Sequence, residues 1–424
     1  MQLGIRWLAM FVAIVSSFSG VAAWGARLSS YCYAPINDLT RIRGENIDER
    51  IPVASVSKLI TAHWAVRSKG VNYRFQTLAH LTPVDRQTYD LHMQGSRDPY
   101  MGAEQLHYMI SELNRRGIKR IRNFTFDQNF KFFWFADDPE SNRNIAVGFY
   151  VNTDPSPQTV RNQLRAYSEL TRGYQETRKK ALDRGLRMVE NPEFSIENIE
   201  PLNAGDFQPR LDTRTFVVNS VRLANLLKEM NRNSNNHAAN QIFEHLGSSR
   251  AFQSFIDQTL QLKREDVVML NGSGDRVDTA NGARYNEASC SAMLKIMADL
   301  HNSLAEQGSA FSRVATVIGT NPGNATNLYK LSLTDGAVIA KTGTVNPSVS
   351  LGGLMSTKKG LYLFMINVNP RGSFGGGRQI IRDRLNDLVN DLGGPVSLNA
   401  QPFSFISFDS RSFVELKAQK ENLK

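Results

Sequence analysis

Residues 52–60 read Pro52-Val53-Ala54-Ser55-Val56-Ser57-Lys58-Leu59-Ile60, a serine and a lysine three positions apart at the head of an apolar run that continues to Val66. Proline is tolerated just ahead of a helix, and the run has helical periodicity, so a helix is predicted to start at Ser55. Residues three apart on a helix share one face, which brings the Lys58 amine within reach of the Ser55 hydroxyl. A serine hydroxyl is a poor nucleophile until a base takes its proton. A lysine is that base only where burial and a nearby cation such as Lys341 lower its pKa toward neutrality. The helix N-terminus adds backbone N–H groups that favour developing negative charge. The pattern alone is weak, because Ser356-Thr357-Lys358-Lys359 satisfies it too. That copy falls in a polar turn ahead of Gly360, where solvated lysines cannot act as bases.

Two further motifs give Ser55 its setting. Ser234-Asn235-Asn236 lies in a polar break between two helical runs, Val221 to Met230 and Ala238 to Leu246. There a hydroxyl can relay a proton and the Asn236 amide can meet a substrate backbone. Ser397-Leu398-Asn399 fits the same triplet, so the triplet means little without its position. Lys341-Thr342-Gly343-Thr344 follows the strand-like run Ala337 to Ala340. On an edge strand beside the nucleophile, Gly343 lets a ligand backbone approach, while Lys341, Thr342 and Thr344 can bind a carboxylate.

The rest of the chain divides around these motifs. Short strands with turns at Asn37-Asp38 and Gly44-Glu45 precede the first motif. Strands at Phe75 to Leu81, Tyr89 to Gln94 and Phe124 to Phe126, with a helix from Glu104 to Arg116, make an α/β or α+β insertion. Gln158 to Val189 reads as one long basic helix or a helix pair, its charges a solvated face. Past Asn271-Gly272-Ser273-Gly274 come a helix over Met293 to Leu300, strands at Ser350 to Met355 and Leu361 to Val368, and a helix from Gln379 to Leu392. These late strands and the last helix form an antiparallel sheet covered by helices.

At 424 residues, 41% hydrophobic and 21% charged, the chain is long and apolar enough for two cores and is not disordered in character. The net charge of +10 suits an acidic wall matrix or simply a solvated surface, and no nucleic-acid motif gives it an address. Arg6, the apolar run Trp7 to Val15 and Val21-Ala22-Ala23 read as a secretory signal cleaved near Ala23. A membrane anchor is the alternative, though the apolar run is shorter than the ~20 residues a bilayer needs. Cys32 and Cys290 either pair in an oxidising compartment or are two separate buried thiols.

The three motifs in this order are those of serine β-lactamases and penicillin-binding proteins. The chain resembles in particular the class C low-molecular-mass penicillin-binding proteins, the D-alanyl-D-alanine carboxypeptidase/endopeptidases of peptidase family S13. Tyr73-Arg74-Phe75, Gly95-Ser96-Arg97-Asp98-Pro99, Asn271-Gly272-Ser273-Gly274 and Leu351-Gly352-Gly353 look like that family's recurring stretches. The resemblance implies an α+β transpeptidase-type domain, residues 24–72 and 216–424, with a smaller α/β domain, residues 73–215, inserted between the first two motifs. It implies an exported, periplasmic serine peptidase acting on peptidoglycan stem peptides and acylated by β-lactams. Ser55, Lys58, Ser234, Asn236 and Lys341 would be catalytic and Thr342, Gly343 and Thr344 substrate-binding, with no metal or organic cofactor. Arg276 and an acidic residue of the insertion, Asp137 or Asp138, would read a diaminopimelate side chain. Nucleic acid is not an expected partner; peripheral membrane contact is compatible with the charge. The insertion is shorter than in full-length members, which puts that family's third domain in doubt. Asn235 and Asn271 stand where aspartate is usual. Carboxypeptidase and endopeptidase action, a β-lactamase or esterase of the same superfamily, and a wall-binding protein without activity all remain open at this level.

Overall fold

The computed structural model describes residues 25–133, 156–170, 173–203 and 205–416. The proposed signal segment and Asp137 and Asp138 lie outside these residues. The main sheet is built from strands β1 (Arg27–Pro35) and β2 (Arg43–Glu45) at the start of the chain and four more far downstream. A second sheet uses β3 (Gln76–Pro83), β4 (Thr88–Gln94), β5 (Arg120–Phe126), β6 (Ser195–Pro201) and β7 (Arg214–Asn219). The downstream strands of the main sheet are β8 (Thr316–Val317), β9 (Val338–Val345), β10 (Ser348–Thr357) and β11 (Gly360–Asn369), and β12 (Phe413–Glu415) closes the second sheet. Main-sheet order is β8-β9-β10-β11-β1-β2, antiparallel throughout. The β9-β10-β11 meander reads as near-continuous apolar runs because both faces are covered.

Helix α1 (Ser57–Lys69) is buried from Ser57 through Val66, so its apolar residues run around the whole circumference rather than along a stripe. It packs between the main sheet and the helices that follow the insertion. Its polar residues stay buried because each finds a partner: Thr61 Oγ1 donates to the Gly272 carbonyl at 2.7 Å, and His63 Nε2 lies 2.6 Å from Asp299. The opposite face of the sheet is covered by the last helix, Phe374–Asp391, through Ile381, Leu385, Leu388 and Val389.

The second body has its own core. Helix α2 (Ala103–Arg115) and the pair α3 (Pro157–Ser168) and α4 (Tyr174–Leu182) cover one face of the second sheet. The basic segment is thus two helices: Val160, Leu164, Tyr167, Tyr174 and Ala181 are buried, and Lys180 reaches Glu104 at 3.0 Å. Ile406, Phe408 and Phe413 belong to this second core, so the C-terminal stretch that the boundary 216–424 leaves with the peptidase domain crosses back to the insertion.

Local differences from expectation have simple causes. Gly44-Glu45 is strand rather than turn, Gly44 lying opposite Cys32. A Cβ on Gly44 would stand 1.9 Å from the Tyr31 carbonyl oxygen, so this glycine serves close backbone approach. The predicted helix start at Ser55 is one turn of 3₁₀ helix, Ala54–Val56, with α1 proper beginning at Ser57. Such a turn commonly leads into an α-helix.

Cys32 on β1 and Cys290 at the head of the helix Cys290–Glu306 form a disulfide across 258 residues of chain. Closing so long a loop removes much unfolded-state entropy. Cys32→Ala is expected to lower unfolding free energy by about 2–5 kcal/mol, measured by denaturant melts of the oxidised protein. An unchanged midpoint would show that the bond contributes nothing.

Candidate active site

Four chain segments far apart in sequence converge at the amino end of α1. The turn carrying Ser55 is wedged between two glycines: a Cβ on Gly343 of β9 would sit 2.9 Å from the Ala54 Cβ, and one on Gly274 would sit 1.9 Å from the Ala54 carbonyl oxygen. Ala54 itself holds φ +49°, uncommon for a residue with a Cβ, and the contacts on both sides keep it there. Ser350 Oγ donates to the Val53 carbonyl at 2.9 Å and fastens the same turn to β10. Ser55 is thereby half-exposed on a rigid corner, above the buried Lys58.

Lys58 Nζ lies 2.9 Å from Ser55 Oγ, 2.6 Å from Asn236 Oδ1 and 2.9 Å from the Ser273 carbonyl oxygen. Its pKa is held well below that of an ordinary lysine, by burial first and by the Lys341 charge second, with Asp275 opposing both. A neutral amine has two N–H donors and one lone pair. The Asn236 and Ser273 oxygens can only accept, so in the neutral state they take the two N–H groups and the lone pair is left for the Ser55 O–H.

Ser234 caps helix α5 (Leu223–Asn233) in the left-handed conformation, φ +57°, and α6 (Asn236–His245) begins two residues later. Asn235 accepts from the Ala238 N–H at 2.9 Å as N-cap of α6, so the amide does the work an aspartate would do there. Asn236 is the first helical residue; its Oδ1 faces Lys58 and its Nδ2 is 3.4 Å from Asp275. Lys341 Nζ donates to Ser234 Oγ at 2.9 Å and to the Thr342 carbonyl at 2.6 Å, and burial brings its pKa down to about 7. Thr342 and Gly343 are buried on β9 while Thr344 is exposed at its end.

Some contributors are not evident in the motifs. Asn271 Oδ1 accepts from the Gly274 N–H at 2.8 Å and the Ser273 N–H at 3.1 Å, shaping the loop that presents the Ser273 carbonyl to Lys58. Asp275 follows directly on the Gly-Ser-Gly stretch, and that adjacency was its signal. Lys228, buried in α5, donates to the Ser312 carbonyl at 2.8 Å and to Asn321 Oδ1 at 2.6 Å, which ties the helix ending at Ser234 to the segment beside β8. Arg276 is not drawn into this cluster; its side chain is exposed and pairs with Asp278 at 2.6 Å. Lys358 and Lys359 of the second Ser-x-x-Lys are exposed, as expected. Among the described residues no group of histidine, cysteine and acidic side chains is placed to hold a metal, and no helix is long and apolar enough to cross a membrane.

A buried amine set against a half-exposed serine is the arrangement of serine acyl-transfer enzymes that use lysine as base, and the antiparallel sheet with its Lys-Thr-Gly strand narrows the class to the penicillin-binding peptidases. Sequence comparison then gives the family. Residues 29–142 and 208–382, roughly two thirds of the chain, match the D-Ala-D-Ala carboxypeptidase 3 (S13) family, and the chain belongs to it as a serine-type peptidase. Among solved structures, Bd3459, a predatory peptidoglycan endopeptidase from Bdellovibrio bacteriovorus, is 31% identical over 92% of this chain and 100% of its own, with a TM-score of 0.83. Bd0816 from the same organism, a predatory endopeptidase solved with immunity protein Bd3460, is 30% identical over 92% and 100%, TM-score 0.81. Penicillin-binding protein 4 of Haemophilus influenzae shares the fold, at 16% identity over 86% and 97% and a TM-score of 0.57. No curated protein matches the chain.

Between pH about 7 and 10.5 the unfolded chain carries a proton on Lys341 that the folded chain does not, so native stability rises with pH across that window. Below it, folding bears the full penalty of burying the charge. The stability of Lys341→Met relative to the native protein is therefore expected to be greater at pH 6 than at pH 9, by about 2–3 kcal/mol. Equal shifts at the two pH values would mean that the amine is not titrating where its burial places it.

Proposed function

We propose that the chain is a penicillin-sensitive D,D-peptidase that cleaves D-Ala-D-Ala termini or D-Ala-diaminopimelate cross-links of peptidoglycan through an acyl-enzyme on Ser55. The observation that carries this is the Lys58 amine, 2.9 Å from Ser55 Oγ with its other contacts both acceptors. In the first step neutral Lys58 takes the Ser55 proton as Oγ bonds to the D-Ala carbonyl carbon. The oxyanion meets the backbone N–H groups of Ser55 and Thr344; Ser55 lies in a first helical turn, where backbone donors have no intrahelical acceptor. The C–N bond then breaks. Ser234, 2.9 Å from Lys341, passes a proton to the leaving amine and takes one from the Lys341 ammonium, and the proton that Lys58 acquired returns the pair to its starting state, Lys58 neutral and Lys341 charged. Water then gives a proton to neutral Lys58 as it attacks the ester carbon, the C–O bond to Ser55 breaks, and Oγ takes that proton back.

Lys341 in its protonated form, with Thr342 and Thr344, holds the carboxylate next to the scissile bond, and Asn236 orients the stem peptide. The relatives at 30–31% identity are described as endopeptidases, which favours the cross-link as the main substrate. Bd3459 has been solved acylated by penicillin G and in complex with an immunity protein, supporting β-lactam acylation here and a protein inhibitor as partner. Arg276, already engaged by Asp278, has no part in the steps above. The wall lies outside the cytoplasm, in keeping with a signal segment cleaved near Ala23 and a periplasmic location.

Benzylpenicillin is expected to add one equivalent to Ser55, seen by intact mass, and to remain for minutes or longer; Ser55→Ala should lose both the adduct and the digestion of cross-linked sacculi. Acylation should rise with pH as Lys58 loses its proton and decline as Lys341, near 7, loses its own. Rapid turnover of the drug, or sacculus digestion surviving in Ser55→Ala, would sink the assignment.

A further inference from the structure

The second body carries a recess that the peptidase reaction does not use. Among the described residues the helices cover one face of its sheet, and strand alternation turns His80, Thr82, Asp90 and His92 to the other face. There the loop after β6 folds back and lays Phe207 flat on His92, ring centroids 4.1 Å apart and planes 11° apart, with His80 at 4.9 Å. Beside this aromatic wall is a cavity of about 330 Å³, at the small end of ligand sites and roomy enough for one or two sugar rings.

Its polar lining is fixed in advance. Asp90 accepts from Arg122 Nε at 3.0 Å and from Asn123 Nδ2 at 3.0 Å, and Asn198 Nδ2 donates to Asn123 Oδ1 at 3.2 Å, a ladder across three strands. His92 Nδ1 is 2.9 Å from the Thr125 hydroxyl. Burial and the neighbouring His80 lower the His92 pKa to about 4, so the ring is neutral. Glu200 and Asp206 add two more carboxylates, while the two arginines at the recess are both engaged, Arg122 by Asp90 and Arg210 by Asp212 at 2.7 Å. The recess is acidic on a chain of net charge +10, which disfavours phosphates and other polyanions there. Carboxylates and amides that accept and donate in fixed directions beside a flat aromatic surface suit a neutral ligand with many hydroxyl and amide groups and apolar C–H faces.

We propose that this recess binds the N-acetylated glycan strand of the wall, so that the second body grips the polysaccharide while Ser55 works on the attached peptide. The proposal rests on the peptidoglycan reading of the active site. It makes Phe207, Asn198 and Glu200 ligand-binding residues on a surface separate from Ser55, Lys58 and Lys341.

The test uses the full exported chain and the probe tetra-N-acetylchitotetraose, followed by calorimetry and by NMR. Native protein should bind it, and Phe207→Ala should weaken binding by about tenfold or more. Glu200→Gln and Asn198→Ala, both exposed on the edge strand β6, should weaken it as well and guard against a folding defect at Phe207. All three variants should acylate with benzylpenicillin and cleave a soluble sugar-free cross-linked stem-peptide dimer at the native rate, but digest intact sacculi several-fold more slowly. No oligosaccharide binding by the native chain, unchanged binding in all variants, or binding of calcium ions or an oligolysine peptide in its place would each overturn the proposal. Failure of benzylpenicillin to acylate Ser55 would instead overturn the active-site reading and leave oligosaccharide binding measurable by itself.

Discussion

The structure turns on one amine that must lose its proton in a place no lysine would enter unaided. Lys58 is wholly buried, and its nitrogen meets three oxygens from three parts of the chain. A charged ammonium there would be well supplied with acceptors, which opposes the shift that catalysis needs. Burial tips the balance first and the charge of the second buried amine, Lys341, adds to it, while Asp275 opposes both. In the mechanism proposed above, the reactive state is the one in which Lys58 is neutral and Lys341 charged. The oxygen that is itself a donor, Ser55 Oγ, is the one left facing the lone pair.

Bringing those groups together demands backbones closer than side chains normally allow. Gly343 and Gly274 press on the Ala54 turn from two sides, and Gly272 lies where a Cβ would be 2.1 Å from the Ala239 carbonyl oxygen of α6. Each glycine thus removes a side chain where two of the four converging segments, 54–58, 234–239, 271–275 and 341–344, meet. The opposing anchor is polar: Lys228 and Asn231 bind carbonyls of residues 312–315 and stop α5 from sliding along the sheet edge, so the Ser234 hydroxyl stays on Lys341. The disulfide fastens β1 to the helix behind α1 and holds the far side of the same layer.

Much of this was legible in the sequence, and the reasons differ by region. The three motifs could be read because each needs a residue type at a fixed local offset: three positions on a helix for Ser55 and Lys58, a tight inter-helix loop for Ser234 and Asn236, a strand with a glycine for Lys341 to Thr344. The late strands were visible as apolar runs, and the second body as alternating strands around one helix. What escaped was non-local. Nothing near Ser273 announces that its carbonyl will meet an amine 215 residues earlier. Gly44 looked like a turn because a glycine kept for close approach and one kept for a bend are the same letter. The C-terminal return to the second sheet rests on a three-residue strand, too short to carry a periodic signal.

The two bodies answer different physical demands, and this explains their contrasting surfaces. Beside Ser55 an amine is kept from its charge chiefly by burial, so Lys58 and Lys341 lie in a glycine-packed interior that is costly in stability. A polymer, by contrast, must be held without being buried, since its strand enters and leaves. Such a hold is made from open, pre-oriented hydrogen-bonding groups rather than from desolvation, each contributing little and all remaining solvated. The face of the second sheet turned away from the described helices, with Asp90, Asn123 and Asn198 already locked to one another, has that character. An enzyme whose chemistry rests on two buried amines gains by placing its grip on an insoluble substrate elsewhere, on a surface that can stay wet while the peptide alone meets Ser55.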